Sequence, residues 1–177
     1  MVVLDEAYAE YVDSPDYPDG VKLLQRYPNL VVLRTFSKIY GLASLRIGYG
    51  IAQPDVIRTI NQVREPFNTT RFAQKAAIAA LEDQDFIRYC REQNAEGIAY
   101  LRREFARLGL KMFEAHGNFV MVDTGRPAEQ IFQSLLKRGI IVRGGHQLGF
   151  PTHVRVTVGN RKQNEAFISA LEQALKE

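Results

Sequence analysis

Apolar residues follow two rhythms along this chain. In the first third they form short unbroken runs, VVL at 2–4, LVVL at 30–33 and IGYGIA at 47–52, separated by polar stretches such as SPDYPDG at 14–20. Continuous rather than alternating hydrophobicity over so few residues predicts strands of an α/β sheet covered on both faces. Pro54 and Asp55 suit a helix start, and VREPFNTT at 63–70 reads as a non-helical link. From Arg71 the spacing changes to three and four. Phe72, Ala76 and Ala79 would share one face of a helix reaching about Leu81, and Ile98, Leu101, Phe105 and Leu108 mark a second helix that Gly109 closes. LKMFEA, NFVMVD, GIIVR and HVRVTVG then read as strands. A helix is expected around Ala128 to Lys137, and a last one with Phe167, Ile168, Leu171 and Leu175 on one face. Residues from about 95 onward thus form an α+β unit.

Three strands make a poor parallel sheet. An edge and an apolar face would stay uncovered, so the chain is expected to be part of a larger protein or to be completed by another chain.

Composition narrows the function without choosing it. With 177 residues, 46% of them hydrophobic, the chain can bury a real core. The net charge of +3 comes from 23 basic and 20 acidic residues interspersed along the chain, which leaves no footprint for nucleic acid or a membrane. A lone cysteine, Cys90, cannot form an internal disulfide, and His116, His146 and His153 lack ligand spacing, so no metal is expected. No run approaches the ~20 apolar residues of a membrane span, and MVVLDEAYAEY is not a signal peptide, which points to the cytoplasm.

The chemistry gathers where the apolar runs end. After LVVL come Thr35, Ser37 and Lys38, with Arg46 eight residues beyond the lysine. Two hydroxyls, their neighbouring amides and a guanidinium make a phosphate cradle, since arginine grips phosphate in a bidentate fork. Lys38 is then a further phosphate ligand or a nucleophile beside the phosphate; a lysine amine forms imines with carbonyls when burial or a cationic neighbour favours its neutral form. Asp5 ends the first apolar run and Tyr8 follows three residues later. A carboxylate, an imine-forming lysine and a phosphate cradle are together what pyridoxal phosphate needs. VVLDE also suits the acidic end of an ATPase strand, but no G-x-x-x-x-G-K-[ST] occurs in the chain.

DEAY at 5–8 and LRTFSKIYGLASLRIGYG at 33–50 resemble the fold-type-I pyridoxal-phosphate aminotransferases, and LRTFSK, REPFNTT, GNFVMV and HVRVTVGN resemble the bacterial histidinol-phosphate aminotransferases. The resemblance implies an α/β fold: a mainly parallel sheet sandwiched by helices, followed by a small α+β domain. Residues 1–70 would be the C-terminal part of the large cofactor-binding domain, 71–94 a helical connection and 95–177 the small domain. The family's chains are about twice as long, so the substrate-gating segment, the glycine-containing phosphate loop and the aromatic that stacks on the cofactor ring are expected in an absent N-terminal half. By the same resemblance Asp5 pairs with the pyridine nitrogen, Tyr8 with the ring's phenolic oxygen, Lys38 holds the aldehyde as an imine, and Thr35, Ser37 and Arg46 hold the phosphate. Arg155, and beside it Arg143, would bind the anionic group of the substrate. The implied reaction passes an amino group from histidinol phosphate to 2-oxoglutarate in histidine biosynthesis, in a homodimer of the complete protein. An inactive fragment of such an enzyme, an aromatic aminotransferase and a threonine-phosphate decarboxylase stay open beside it.

Overall fold

The computed structural model describes residues 1–177. Strand β1 (Val2–Asp5) lies parallel to β2 (Leu30–Thr35), with Val3 opposite Val31 and Asp5 opposite Leu33. The crossover between them contains one turn of helix, α1 (Gly20–Leu23), started by Asp19, whose carboxylate accepts from the amides of Val21 and Lys22. Strand β3 (Gly48–Ala52) returns antiparallel to β2, Thr35 facing Gly48, so one of the two pairings departs from the expected parallel sheet. The reason is local. Residues 36–47 fold into a tight loop and a 3-10 turn, Ala43–Leu45, rather than a crossover helix, and without a crossover the chain can only come back antiparallel.

One face of this sheet is packed, with Leu24, Leu30 and Val32 buried beside Leu4, Leu23 and Ile51. On the other face Val3, Val31 and Leu33, with Val56, Thr59 and Ile60 of α2 (Pro54–Val63), line an open apolar groove of ≈ 500 Å³. The unbroken apolar runs are therefore covered on one face within this chain, not on both. Helix α3 (Arg71–Glu82) is capped by Thr70, whose hydroxyl accepts from the Ala73 amide at 3.1 Å. It buries Ala73 and Ala77 while Phe72 is 82% exposed, which corrects the predicted face. Helical spacing alone leaves the facing side undecided, and here the small side chains make the close approach.

Helix α4 (Gln84–Arg107) follows, and the chain divides into two units at Cys90/Arg91. The second unit holds β4 (Lys111–Met112), β5 (Phe119–Asp123), α5 (Ala128–Lys137), β6 (Arg143–Gly144), β7 (His153–Thr157) and α6 (Arg161–Ala174). Its sheet is antiparallel in the order β4-β5-β7-β6. Val120, Val122, Val154 and Val156 alternate inward and meet Leu101, Phe105, Ile131, Leu135, Phe167 and Leu171 in one core. GIIVR forms far less strand than its apolarity predicts. The amides of Gly139 and Ile140 instead close the end of α5, each 3.0 Å from the carbonyls of Leu136 and Leu135, and Ile141 is 80% exposed. No helix is long and apolar enough to cross a membrane.

Candidate functional site

Parallel strands bring their C-terminal ends together, the usual place for a ligand in an open α/β sheet. Asp5 is the last residue of β1 and Thr35 the last of β2. Each then caps the turn that follows: Asp5 Oδ1 accepts from the Ala7 amide at 3.0 Å, and Thr35 Oγ1 accepts from the Ser37 amide at 3.0 Å. The loop carrying Lys38 is stitched at both ends. Phe36 donates to the Ile47 carbonyl at 3.2 Å, Leu42 to that of Phe36 at 2.9 Å, and Gly41 to that of Lys38 at 2.9 Å. Phe36 and Ile39 are buried anchors, and Lys38 lies between them, partly exposed.

Arg46 follows the 3-10 turn in the left-handed region at φ 53°, a conformation that costs a non-glycine residue roughly 1–2 kcal/mol. Its guanidinium donates back to the Ala43 carbonyl at 2.7 Å. The outcome is a single cleft of ≈ 360 Å³ lined by Asp5, Thr35, Ser37, Lys38 and Arg46. Tyr8 stands beside it, its ring centroid 5.3 Å from Lys38 Nζ. All six first-unit candidates are thus brought together. The larger apolar groove beneath the sheet is lined by no lysine, cysteine or histidine, and Asp55 is its one charged side chain.

Two residues that the sequence reading passed over stand directly behind the cleft. Glu6 is 1% exposed, and its Oε2 accepts from Nε and Nη2 of Arg34, both at 2.9 Å. Glu6 Oε1 accepts from the Gly20 amide at 3.1 Å. Partial burial works against the Arg34 charge, but hydrogen bonds to Glu6 and Tyr49 outweigh it and hold the guanidinium above its ordinary pKa. Nearby, burial pushes the Glu10 carboxyl up and the Tyr11 hydroxyl up to about 12. The sequence shows only their opposite charges, directly following Asp5 and directly preceding Thr35 at the ends of adjacent apolar runs, with no spacing that joins them.

In the second unit, Arg143 and Arg155 face each other directly across β6 and β7. Cross-strand partners share a face of the sheet, so two guanidinium groups are placed on one side. Arg155 also lies over the Phe119 ring at 3.9 Å. Like charges set opposite each other destabilise a sheet unless something anionic lies between them.

The chain matches the model of the family described as aminotransferase class I and II over residues 1–171. It is 55% identical over 177 residues to the histidinol-phosphate aminotransferase of Geobacillus sp. (strain WCH70), covering 100% of this chain and 48% of that protein. The histidinol-phosphate aminotransferase of Bacillus subtilis (strain 168) is 54% identical over 176 residues, covering 99% and 49%. Among solved structures, histidinol-phosphate aminotransferase from Sinorhizobium meliloti in complex with pyridoxal-5'-phosphate superposes with a TM-score of 0.89 at 32% identity, over 99% of this chain and 49% of that one. The chain spans about half the length of the curated relatives it matches.

Proposed function

This chain belongs to the class I and II aminotransferases, and on that premise we propose that it supplies about half of a pyridoxal-phosphate enzyme that transfers an amino group from histidinol phosphate to 2-oxoglutarate. One observation carries the reading: the carboxylate, the two hydroxyls, the amine and the guanidinium that this chemistry calls for line one cleft at the end of β1 and β2. The donor set fits the cofactor group by group. Asp5 would hold the ring nitrogen protonated, Tyr8 would donate to the phenolic oxygen, and Thr35, Ser37 and Arg46 would take the phosphate.

Pyridoxal phosphate, when bound, supplies an aldehyde that takes up an amine and a ring that delocalises the electron pair left when a Cα–H bond breaks. The rest falls to this chain. Lys38 Nζ would hold the aldehyde at rest, take a proton from the substrate carbon when free, and return it to the cofactor carbon. Arg155, with Arg143 opposite it, would bind the substrate's carboxylate or phosphate and so orient the amine. We assign residues 1–70 to the large domain, 71–94 to a helical connection and 95–177 to the small domain, all belonging to one subunit of a cytoplasmic homodimer. An aromatic amino acid or a phosphorylated threonine as substrate would need the same cofactor cleft, so the choice of histidinol phosphate rests on the relatives named above.

Treating the chain with pyridoxal phosphate, reducing with borohydride and locating the modified lysine by peptide mass spectrometry tests the assignment. Label concentrated on Lys38, and lost in Lys38→Ala, is the expected result. Label scattered over surface lysines and unchanged in the variant would refute it. In the complete enzyme, Lys38→Ala should reduce turnover by several orders of magnitude, while Arg46→Ala should mainly weaken cofactor retention.

A further inference from the structure

We infer that Glu6 and Arg34 are positioning residues for the cleft: their ion pair, its carboxylate buried and tied to Gly20, its guanidinium partly buried and facing Tyr49, fixes the ends of three strands and thereby sets Asp5 against Lys38. The inference rests on the aminotransferase reading for what the cleft holds.

The geometry is specific. Glu6 follows Asp5 and precedes Ala7, and both neighbours line the cleft. Arg34 lies between Leu33 and Thr35, which also line it, and Arg34 itself forms part of the wall. The Glu6 amide donates to the Leu33 carbonyl at 2.9 Å, so the backbone ties β1 to β2 at the same level as the side chains do. Arg34 faces Tyr49 of β3 in the antiparallel register, which sets the two side chains beside each other on one face of the sheet. Tyr49 in turn packs on Phe36, ring centroids 5.7 Å apart, and Phe36 anchors the loop that carries Lys38. Gly20, Glu6, Arg34, Tyr49 and Phe36 thus form one continuous path from α1 to the Lys38 loop.

Stability does not account for such a pair. Burying a carboxylate and a guanidinium carries a desolvation penalty that their attraction offsets only in part, and apolar residues of similar volume commonly serve as well or better. What apolar residues lack is direction. A planar fork on a carboxylate fixes two strands in register and angle, where hydrophobic packing tolerates a slide.

The test uses two variants, Glu6→Gln and the paired Glu6→Met/Arg34→Met, each measured for thermal unfolding and for the share of borohydride-fixed pyridoxal phosphate found on Lys38 rather than on other lysines. In Glu6→Gln, Arg34 loses its counter-charge while the shape is kept. The paired change should leave the unfolding midpoint equal or raised. In both, the Lys38 share should fall on the order of tenfold, since small displacements of reacting groups have large effects on rate. Variants that fold and label Lys38 as selectively as the wild type overturn the inference while leaving the aminotransferase reading intact. A selectivity loss that merely tracks a fall in the unfolding midpoint also overturns it, because the pair would then be structural. Wild-type chain that leaves Lys38 unlabelled overturns the aminotransferase reading, and this inference with it.

Discussion

Gly20→Ala tests the packing behind the cleft with a single methyl. Gly20 is buried at the first position of α1, and its amide donates to Glu6 Oε1 at 3.1 Å. A Cβ there would fall inside contact distance of that same oxygen and 2.9 Å from Leu4 Cδ2. The Glu6 side chain cannot simply swing away, because Arg34 holds its other oxygen from two nitrogens. Overpacking of this kind costs about 1–3 kcal/mol. Losing a hydrogen bond to a charged acceptor costs about 1.5–3 kcal/mol. Alanine's advantage over glycine in a helix returns less than about 1 kcal/mol at so short a helix. The net expectation is a loss of roughly 1.5–6 kcal/mol from the first unit. Urea unfolding followed by tyrosine fluorescence reads that unit almost alone, because the chain has no tryptophan and all but Tyr100 of its eight tyrosines lie in it. A variant as stable as the wild type would show that Glu6 is not fixed against α1, and the path from α1 to Lys38 would lose its first link.

Two further outcomes follow from the same contacts. Leu171 is fully buried in the second core, so Leu171→Ala should lower stability by about 2–5 kcal/mol, whereas Ile141→Ala, at a site 80% exposed, should stay within about 0.5 kcal/mol; similar urea midpoints for the two would contradict the assigned core. Burial raises the Tyr11 hydroxyl from 10.0 to about 12, so its neutral form favours the fold: that stability is complete below pH 10 and declines as pH rises from there through about 12. Burial also raises Tyr17, Tyr40 and Tyr100, so an ultraviolet phenolate titration should show a late component whose last part Tyr11→Phe removes, and complete ionisation near pH 10 in the folded chain would disprove the burial of that hydroxyl.

Most elements were legible because their signals are local. The runs at 2–4, 30–33 and 47–52, the helix from Arg71 and the helix at Ala128–Lys137 declared themselves through spacing and flanking turn residues. The direction of β3 was not legible, since an apolar run reads the same both ways and only the connecting loop decides it. Nor was the inward face of α3, where Ala73 and Ala77 rather than Phe72 are buried: the choice is made by what the helix meets. In the cleft, Asp5, Thr35, Ser37, Lys38 and Arg46 could be named individually because each bears a reactive or ligand-binding group at a strand end or in the following loop. Glu6 and Arg34 escaped because their meaning lies in a pairing across two strands separated by 28 positions in sequence, which one-dimensional spacing does not display.

Lys38 and Arg46 share one loop, and both of that loop's ends are rooted in the sheet, through β2 and through the start of β3. Their separation is therefore a matter of loop length. A residue inserted between 38 and 46 would change the spacing between the amine and the phosphate ligand, while the same insertion in the exposed stretch at 14–17 would change neither. Length variation over the course of evolution should accordingly be tolerated in the exposed stretch of the crossover and suppressed in this segment.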